Sequence, residues 1–251
     1  VSAKNFVWYE LLTTDVGAAL AFYRGVLGWT TEPFPGEGGQ DYMICLAHGR
    51  GVGGVMARPE GAPYPPFWLG YIGTQDIDGD VARFAEGGGT VHRGPWDIPN
   101  VGRLAVVGDP QGAALAFIQG PADRKSEAFD PGKPGHGAWH EYHAADLPSA
   151  VDFYSGQMGW TKGEAMDMGP SGIYQIFKSG ETQIGGMVRG MPGVPPSWVY
   201  YFATESVGAA AGRVRDGGGT IVVEPCQIPG GGWILMAKDP QGAFFALVGS
   251  A

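Results

Sequence analysis

An internal repeat constrains this chain more than any other feature. Phe22-Tyr23-Arg24-Gly25-Val26-Leu27-Gly28-Trp29 returns as Phe153-Tyr154-Ser155-Gly156-Gln157-Met158-Gly159-Trp160, 131 positions later. Four further segments keep their order at offsets of 130 or 131. Trp8-Tyr9-Glu10 matches Trp139-His140-Glu141, and Pro65-Pro66-Phe67-Trp68 matches Pro195-Pro196-Ser197-Trp198. Residues 87–90 match 217–220, and Asp109-Pro110-Gln111-Gly112-Ala113 matches Asp239-Pro240-Gln241-Gly242-Ala243. The pattern predicts a first unit over 1–120 and a second over 138–251. Between them, 121–137 carries Pro, Gly and charge without an apolar period and reads as a linker.

Each half divides again with a period of about 60 residues. Leu20, Tyr23 and Leu27 fall at i, i+3 and i+7, as do Val151, Tyr154 and Met158, which is the spacing of one helical face. Ile77, Val81 and Phe84 form another such face before Gly87, a helix stop. Runs rich in β-formers, such as 42–46, 101–107 and 114–118, lie between Gly and Pro punctuation. The unit reads β-α-β-β-β, four times over, an α+β architecture.

Composition narrows the function classes. The 251 residues include 45 Gly and 20 Pro, but there is no G-X-Y period, and 44% apolar with 12% aromatic residues supplies a core. Sixteen basic against 25 acidic residues give a net charge of -9, with no Lys/Arg cluster to track phosphates, so no nucleic-acid partner is expected. No apolar run approaches the ~20 residues that span a bilayer, and the first residues lack a signal-peptide layout, so a soluble cytoplasmic protein without a membrane partner is expected. Cys45 and Cys226 stand 181 residues apart, without disulfide-scaffold or zinc-site spacing.

A β-α-β-β-β unit with Phe-Tyr-x-x-x-Leu/Met-Gly-Trp at its helix end and Asp-Pro-Gln-Gly before its last strand resembles the vicinal oxygen chelate superfamily. That superfamily holds glyoxalase I, bleomycin-resistance and fosfomycin-resistance proteins and extradiol dioxygenases. The chain is most similar to tandem glyoxalase-like proteins of bacteria, which implies one cupped site per half, each made from two modules. The resemblance also implies where a divalent metal would be held: by His or Gln on a first strand, about seven residues before the acidic helix opener, and by Glu on a last strand. In this sequence those positions carry Trp8, Trp68, Trp139 and Trp198, with Ala116 and Ala246 on the last strands. Indole and methyl groups offer a metal no lone pair, so no metal and no other cofactor is expected.

Strand alternation then selects the candidate site. Trp8, Glu10 and Leu12 share a face, as do Trp139, Glu141 and His143. Trp68, Gly70 and Ile72, and Trp198, Tyr200 and Phe202, are expected to complete the two cups. The tryptophans read either as a stacking clamp for a flat ligand or as filler for the space of a lost metal. Glu10 and Glu141 read either as working carboxylates or as structural hydrogen-bond acceptors, because a carboxylate on an apolar face must be paired, bonded or protonated. Glu141 and His143 can form an acid–base pair that the first half, with Leu12, lacks. His140 and Tyr142 point under the helix. Gly53-Gly54 and Gly185-Gly186 lack the Lys-Ser/Thr and the strand-to-helix turn of a phosphate loop, and permit strand curvature instead.

These readings favour metal-independent binding of a small hydrophobic or aromatic molecule through Trp8, Glu10, Trp68, Trp139, Trp198 and Tyr200, serving detoxification. The alternative is a glyoxalase-type lyase or isomerase, or a dioxygenase-like enzyme, with Glu141 and His143 as catalytic residues or with an unusual metal site. A protein-interaction module is a third class. In each case a monomer with pseudo-dimeric halves or a weak homodimer is expected.

Overall fold

The computed structural model describes residues 3–34, 42–121 and 125–251. Four modules follow one another. The first is β1 (Phe6–Thr13), α1 (Val16–Leu27), β2 (Thr30–Pro33), β3 (Met43–Ala47) and β4 (Arg50–Ala57). The second is β5 (Phe67–Gly73), α2 (Ile77–Glu86), β6 (Thr90–Ile98), β7 (Gly102–Gly108) and β8 (Ala114–Gln119). The third is β9 (Gly137–Ala144), α3 (Leu147–Met158), β10 (Thr161–Asp167), β11 (Ile173–Ser179) and β12 (Thr182–Arg189). The fourth is β13 (Ser197–Ser206), α4 (Val207–Asp216), β14 (Thr220–Gln227), β15 (Trp233–Lys238) and β16 (Phe244–Ser250). The β-α-β-β-β reading holds in all four.

The strands form two eight-stranded sheets, ordered β2-β3-β4-β1-β5-β8-β7-β6 and β10-β11-β12-β9-β13-β16-β15-β14. In every module the last strand runs parallel to the first, a pairing that a hairpin cannot connect and the crossover helix does. Each helix opens on a side-chain cap: Asp15, Asp76, Asp146 and Ser206 accept the N–H of Ala18, Gly79, Ser149 and Ala209. The repeated Leu/Met-Gly-Trp ends α1 and α3, where Gly28 and Gly159 take left-handed φ of 72° and 65° that a side chain would strain. No helix among the described residues is long and apolar enough to cross a membrane.

Compactness does not follow the repeat. One compact unit comprises Val1–Val7, Gly70–Lys125 and Trp139–Val199; the other comprises Trp8–Leu69, Ser126–Ala138 and Tyr200–Ala251. Each draws modules from both sequence halves. In the first unit, Tyr154 on α3 donates to Asp109 Oδ2 (2.8 Å) and accepts from the Trp198 indole N–H (3.0 Å). Asp109 Oδ1 meanwhile takes the N–H groups of Gln111 and Ala113 and closes the turn before β8. The second unit repeats this: Tyr23 donates to Asp239 (3.1 Å), Trp68 donates to Tyr23 (2.9 Å), and Asp239 closes the turn at Gln241 and Ala243. Burial holds the Asp239 carboxyl above the usual carboxylate range.

The motif tryptophans have a second task. Trp160 donates its indole N–H to the carbonyl of Lys4, and Trp29 donates to that of Gly135, both at 2.7 Å. Each tethers the segment that leads into β1 or β9. Residues 126–137 of the expected linker are therefore built into the second unit: Gly135 and His136 exchange backbone bonds with Ala203, and His136 is 1% exposed. In the first unit Lys4 is fixed further by an ion pair with buried Asp80 (2.7 Å), which Arg83 and Thr74 also bond. Burial, then the Arg83 charge, lower the Lys4 ammonium below its usual range.

His140 faces the helix side, stacked on Phe6 at 3.8 Å, with Nδ1–H donating to the carbonyl of Ile184. Burial pushes it down to about 3 from the ordinary 6.5, so the folded protein holds it neutral. A folded value below the unfolded one gives stability that is complete above pH ~6.5 and is lost as pH falls toward ~3, at up to about 1.4 kcal/mol per pH unit. Urea unfolding of His140→Gln between pH 7 and 4 is expected to show a shallower acid loss than the wild type. Parallel curves would place the acid sensitivity elsewhere.

Candidate functional site

In the third module, the Tyr142 ring meets Tyr154 of α3 at 5.3 Å, so His140 and Tyr142 line the helix-covered face. Alternation sends Trp139, Glu141 and His143 to the opposite face. There they are joined by a residue that the sequence reading did not single out. Tyr174, on β11, accepts the Trp139 indole N–H (2.8 Å) and donates to Glu141 Oε2 (2.9 Å). The other carboxylate oxygen, Oε1, lies 2.7 Å from His143 Nε2. Four side chains form one chain of hydrogen bonds, Trp139–Tyr174–Glu141–His143.

The backbone that allows this is glycine. Gly186 on β12 pairs with Glu141 and lies under the Tyr174 ring; a Cβ there would overlap the ring itself. The first module repeats the device. Trp8 donates to the Tyr42 hydroxyl (2.8 Å), Tyr42 is hydrogen-bonded to Glu10, Glu10 pairs with Gly54, and a Cβ on Gly54 would overlap the Tyr42 hydroxyl. Glu10 and Glu141 are each 8% exposed. Burial, then the adjacent carboxylate charge, raise both phenols well above their usual value, so both remain protonated donors. Along the strand that carries the tryptophan and the glutamate, the halves differ on this face at one place, where Leu12 stands in the first and His143 in the second. The signal available in the sequence was a tyrosine twelve residues before the second glycine of each pair, at 42/54 and 174/186.

Six expected cup residues lie elsewhere. Trp68 and Trp198 face the helices, spent on Tyr23 and Tyr154, and Tyr200 is fully buried edge-on to Tyr9. Trp8 and Trp139 stand seven residues before the caps Asp15 and Asp146, whereas Trp68 and Trp198 stand eight before Asp76 and Ser206. A one-residue slip reverses every side chain of a strand, so Leu69 and Val199 take the equivalent positions. Gly70 and Ile72 turn toward the helices with Trp68, and Phe202 packs in the core against Trp29 and Trp68.

The donor set at the expected metal positions is therefore Trp8, Leu69, Trp139 and Val199, with Ala116 and Ala246 on the last strands. Both alanines turn from the helices, since Phe117 meets Phe84 of α2 and Phe245 meets Phe22 of α1. No group of three or more His, Cys, Asp or Glu among the described residues can hold a metal ion. These residues do not fit a divalent ion. A hollow of about 320 Å³ between the Asp109–Gln111 turn and the start of α3 is no better candidate. The side-chain amide of Gln111 there is already bonded to Asp146 and Ser149.

The family model described as "Glyoxalase/Bleomycin resistance protein/Dioxygenase superfamily" matches residues 5–117 and 138–247. A Mycobacterium tuberculosis protein named "Putative glyoxylase CFP32" is 35% identical over 246 residues, covering 96% of this chain and 93% of the relative. The "Anthracycline biosynthesis protein DnrV" of Streptomyces peucetius is 30% identical over 257 residues, covering 96% and 91%. Among solved structures, the Mn(II)-bound glyoxalase of Novosphingobium aromaticivorans superposes with a TM-score of 0.68 at 16% identity, covering 99% of this chain and 82% of that one. The 2,3-dioxygenase LapB of Pseudomonas sp. KL28 does so with a TM-score of 0.68 at 13% identity, covering 99% and 92%. At such identities the likeness is one of fold.

Tyr174→Phe removes one hydroxyl and leaves both the Trp139 N–H and one Glu141 oxygen without it. A loss of about 1–3 kcal/mol in urea unfolding is expected, the cost of stranding buried polar partners. A change within error would mean that water replaces the phenol freely.

Proposed function

Because the chain belongs to the glyoxalase/bleomycin resistance protein/dioxygenase superfamily, we propose that it binds a small planar aromatic molecule against its two Trp–Tyr–Glu faces, without the divalent metal the family is known for. The observation that carries this reading is the duplicated network. In each half a tyrosine takes the indole N–H of a partly exposed tryptophan, so the ring itself is the surface left for a ligand. A carboxylate on the same face supplies one fixed polar contact, the combination of apolar wall and few oriented polar groups typical of small-molecule sites.

Two further facts favour an aromatic ligand. Met168, Ile173, Met191 and Val194 are each exposed by more than a third, Ile173 at the start of β11 and the others in the segments that precede β11 and follow β12. The Streptomyces relatives are named for anthracycline biosynthesis, and anthracyclines are fused-ring quinones. Sequestering such a molecule is a route to detoxification. A metal-dependent lyase or dioxygenase is the weaker reading, because the donor positions are apolar.

Titration with 2-methoxyanthraquinone, followed by tryptophan fluorescence, tests the proposal. Two equivalents per chain are expected, with Trp8→Ala and Trp139→Ala each weakening one site about tenfold, the scale of one lost aromatic contact. No quenching, or quenching that neither variant alters, would remove the aromatic reading.

A further inference from the structure

On this face β1 and β9 differ by one side chain, and in β9 that side chain is titratable. His143 Nε2 is 2.7 Å from a carboxylate oxygen of Glu141. A carboxylate accepts, so in the neutral ring Nε2 carries the hydrogen and Nδ1 the lone pair. Nδ1 has no hydrogen-bond partner among the described residues, and the side chain is 25% exposed. Glu141 cannot swing away without breaking its bond to Tyr174, which is itself bonded to Trp139. The imidazole is thus held on one side and open on the other. The groups around it are Glu141 on its own strand and Tyr174 on β11. At the end of β12 are Arg189, which pairs with Ala144, and Gly190, which lies against the His143 Cβ. Leu12 in the first half offers none of this.

We propose that His143 accepts the proton of a ring hydroxyl on the aromatic ligand, a reaction that only the second half can perform. The hydroxyl O–H bond breaks, and its proton goes to Nδ1. The electron pair stays on oxygen as phenolate, and the resulting imidazolium is stabilised by the Glu141 carboxylate. His143 is the catalytic residue, Glu141 and Tyr174 are positioning residues, and the first half binds without changing the ligand's protonation. The product is an electron-rich aromatic anion, the form in which a hydroxylated ring is most readily attacked by an electrophile or an oxidant. The inference rests on the aromatic reading above, and the experiment separates the two.

Nitrogen-15 NMR of the ligand-free protein reports the tautomer directly. The Nε2–H form of His143 is expected in the wild type, with the preference weakened in Glu141→Gln; an Nδ1–H form would overturn the proposal. The second measurement is the absorbance of 2-hydroxyanthraquinone, whose colour changes on ionisation, recorded at saturation as a function of pH. One bound equivalent per chain is expected to ionise at least about one pH unit below the free dye, a tenfold gain in acidity. His143→Leu, which copies the first half, is expected to abolish the shift, and Glu141→Gln to reduce it. If the methoxy and hydroxy dyes both bind but ionisation is unshifted, the proton-acceptor role is wrong and the aromatic reading stands. If neither binds, the aromatic reading falls and this inference with it.

Discussion

A buried tyrosine hydroxyl, shared between an aspartate and an indole, is the interaction on which the rest of this structure depends. Tyr23 with Asp239 and Trp68, and Tyr154 with Asp109 and Trp198, each join three modules at one oxygen. The aspartate also closes the turn into a last strand, and that strand pairs in parallel with a first strand. Strand order, helix packing and turn geometry therefore share one acceptor. A hydrogen bond to a charged group contributes roughly 1.5–3 kcal/mol, and stranding a partner costs as much again, so substitution at any of the three affects all of these elements.

The face opposite the helices follows a different logic. Its tryptophans are partly exposed and its carboxylates buried, and Tyr42 and Tyr174 hydrogen-bond to both. The phenol consumes the indole N–H and leaves the ring apolar, while it pins the carboxylate in one orientation. What remains available is a flat surface with one charged edge. In the second half that edge continues into His143, and there the two repeats diverge chemically while keeping the same frame.

The four modules were legible because helices and strands have different apolar periods, and because the repeat supplied each element twice. The Trp139, Glu141 and His143 face was legible for the same reason, strand alternation. The placement of Trp68 and Trp198 was not, since matching tryptophan to tryptophan ignored the extra residue between them and their caps Asp76 and Ser206. Tyr42 and Tyr174 escaped because they reach the site from elsewhere in the module, just before β3 and on β11, across a glycine whose purpose appears only when the ring is seen lying on it. The grouping of modules into compact units was equally hidden: Asp109 and Asp239 mark turns in the sequence, and nothing local says that their other oxygen bonds a tyrosine of the opposite half.

That bond has a consequence for how the protein is made. Tyr23 leaves the ribosome 216 residues before Asp239, its acceptor. Helix α1 and the sheet it covers can form early, and Trp68 can donate to the phenol at their centre, but the phenol's own proton must wait for Asp239, just before β16. Contacts so distant in sequence slow folding and prolong the life of partly closed forms. The second unit therefore completes its core only once β16 has been made, and the first repeat, although it looks like a domain in the sequence, spends the intervening time with a phenol that the folded protein buries still open to whatever else can bond it.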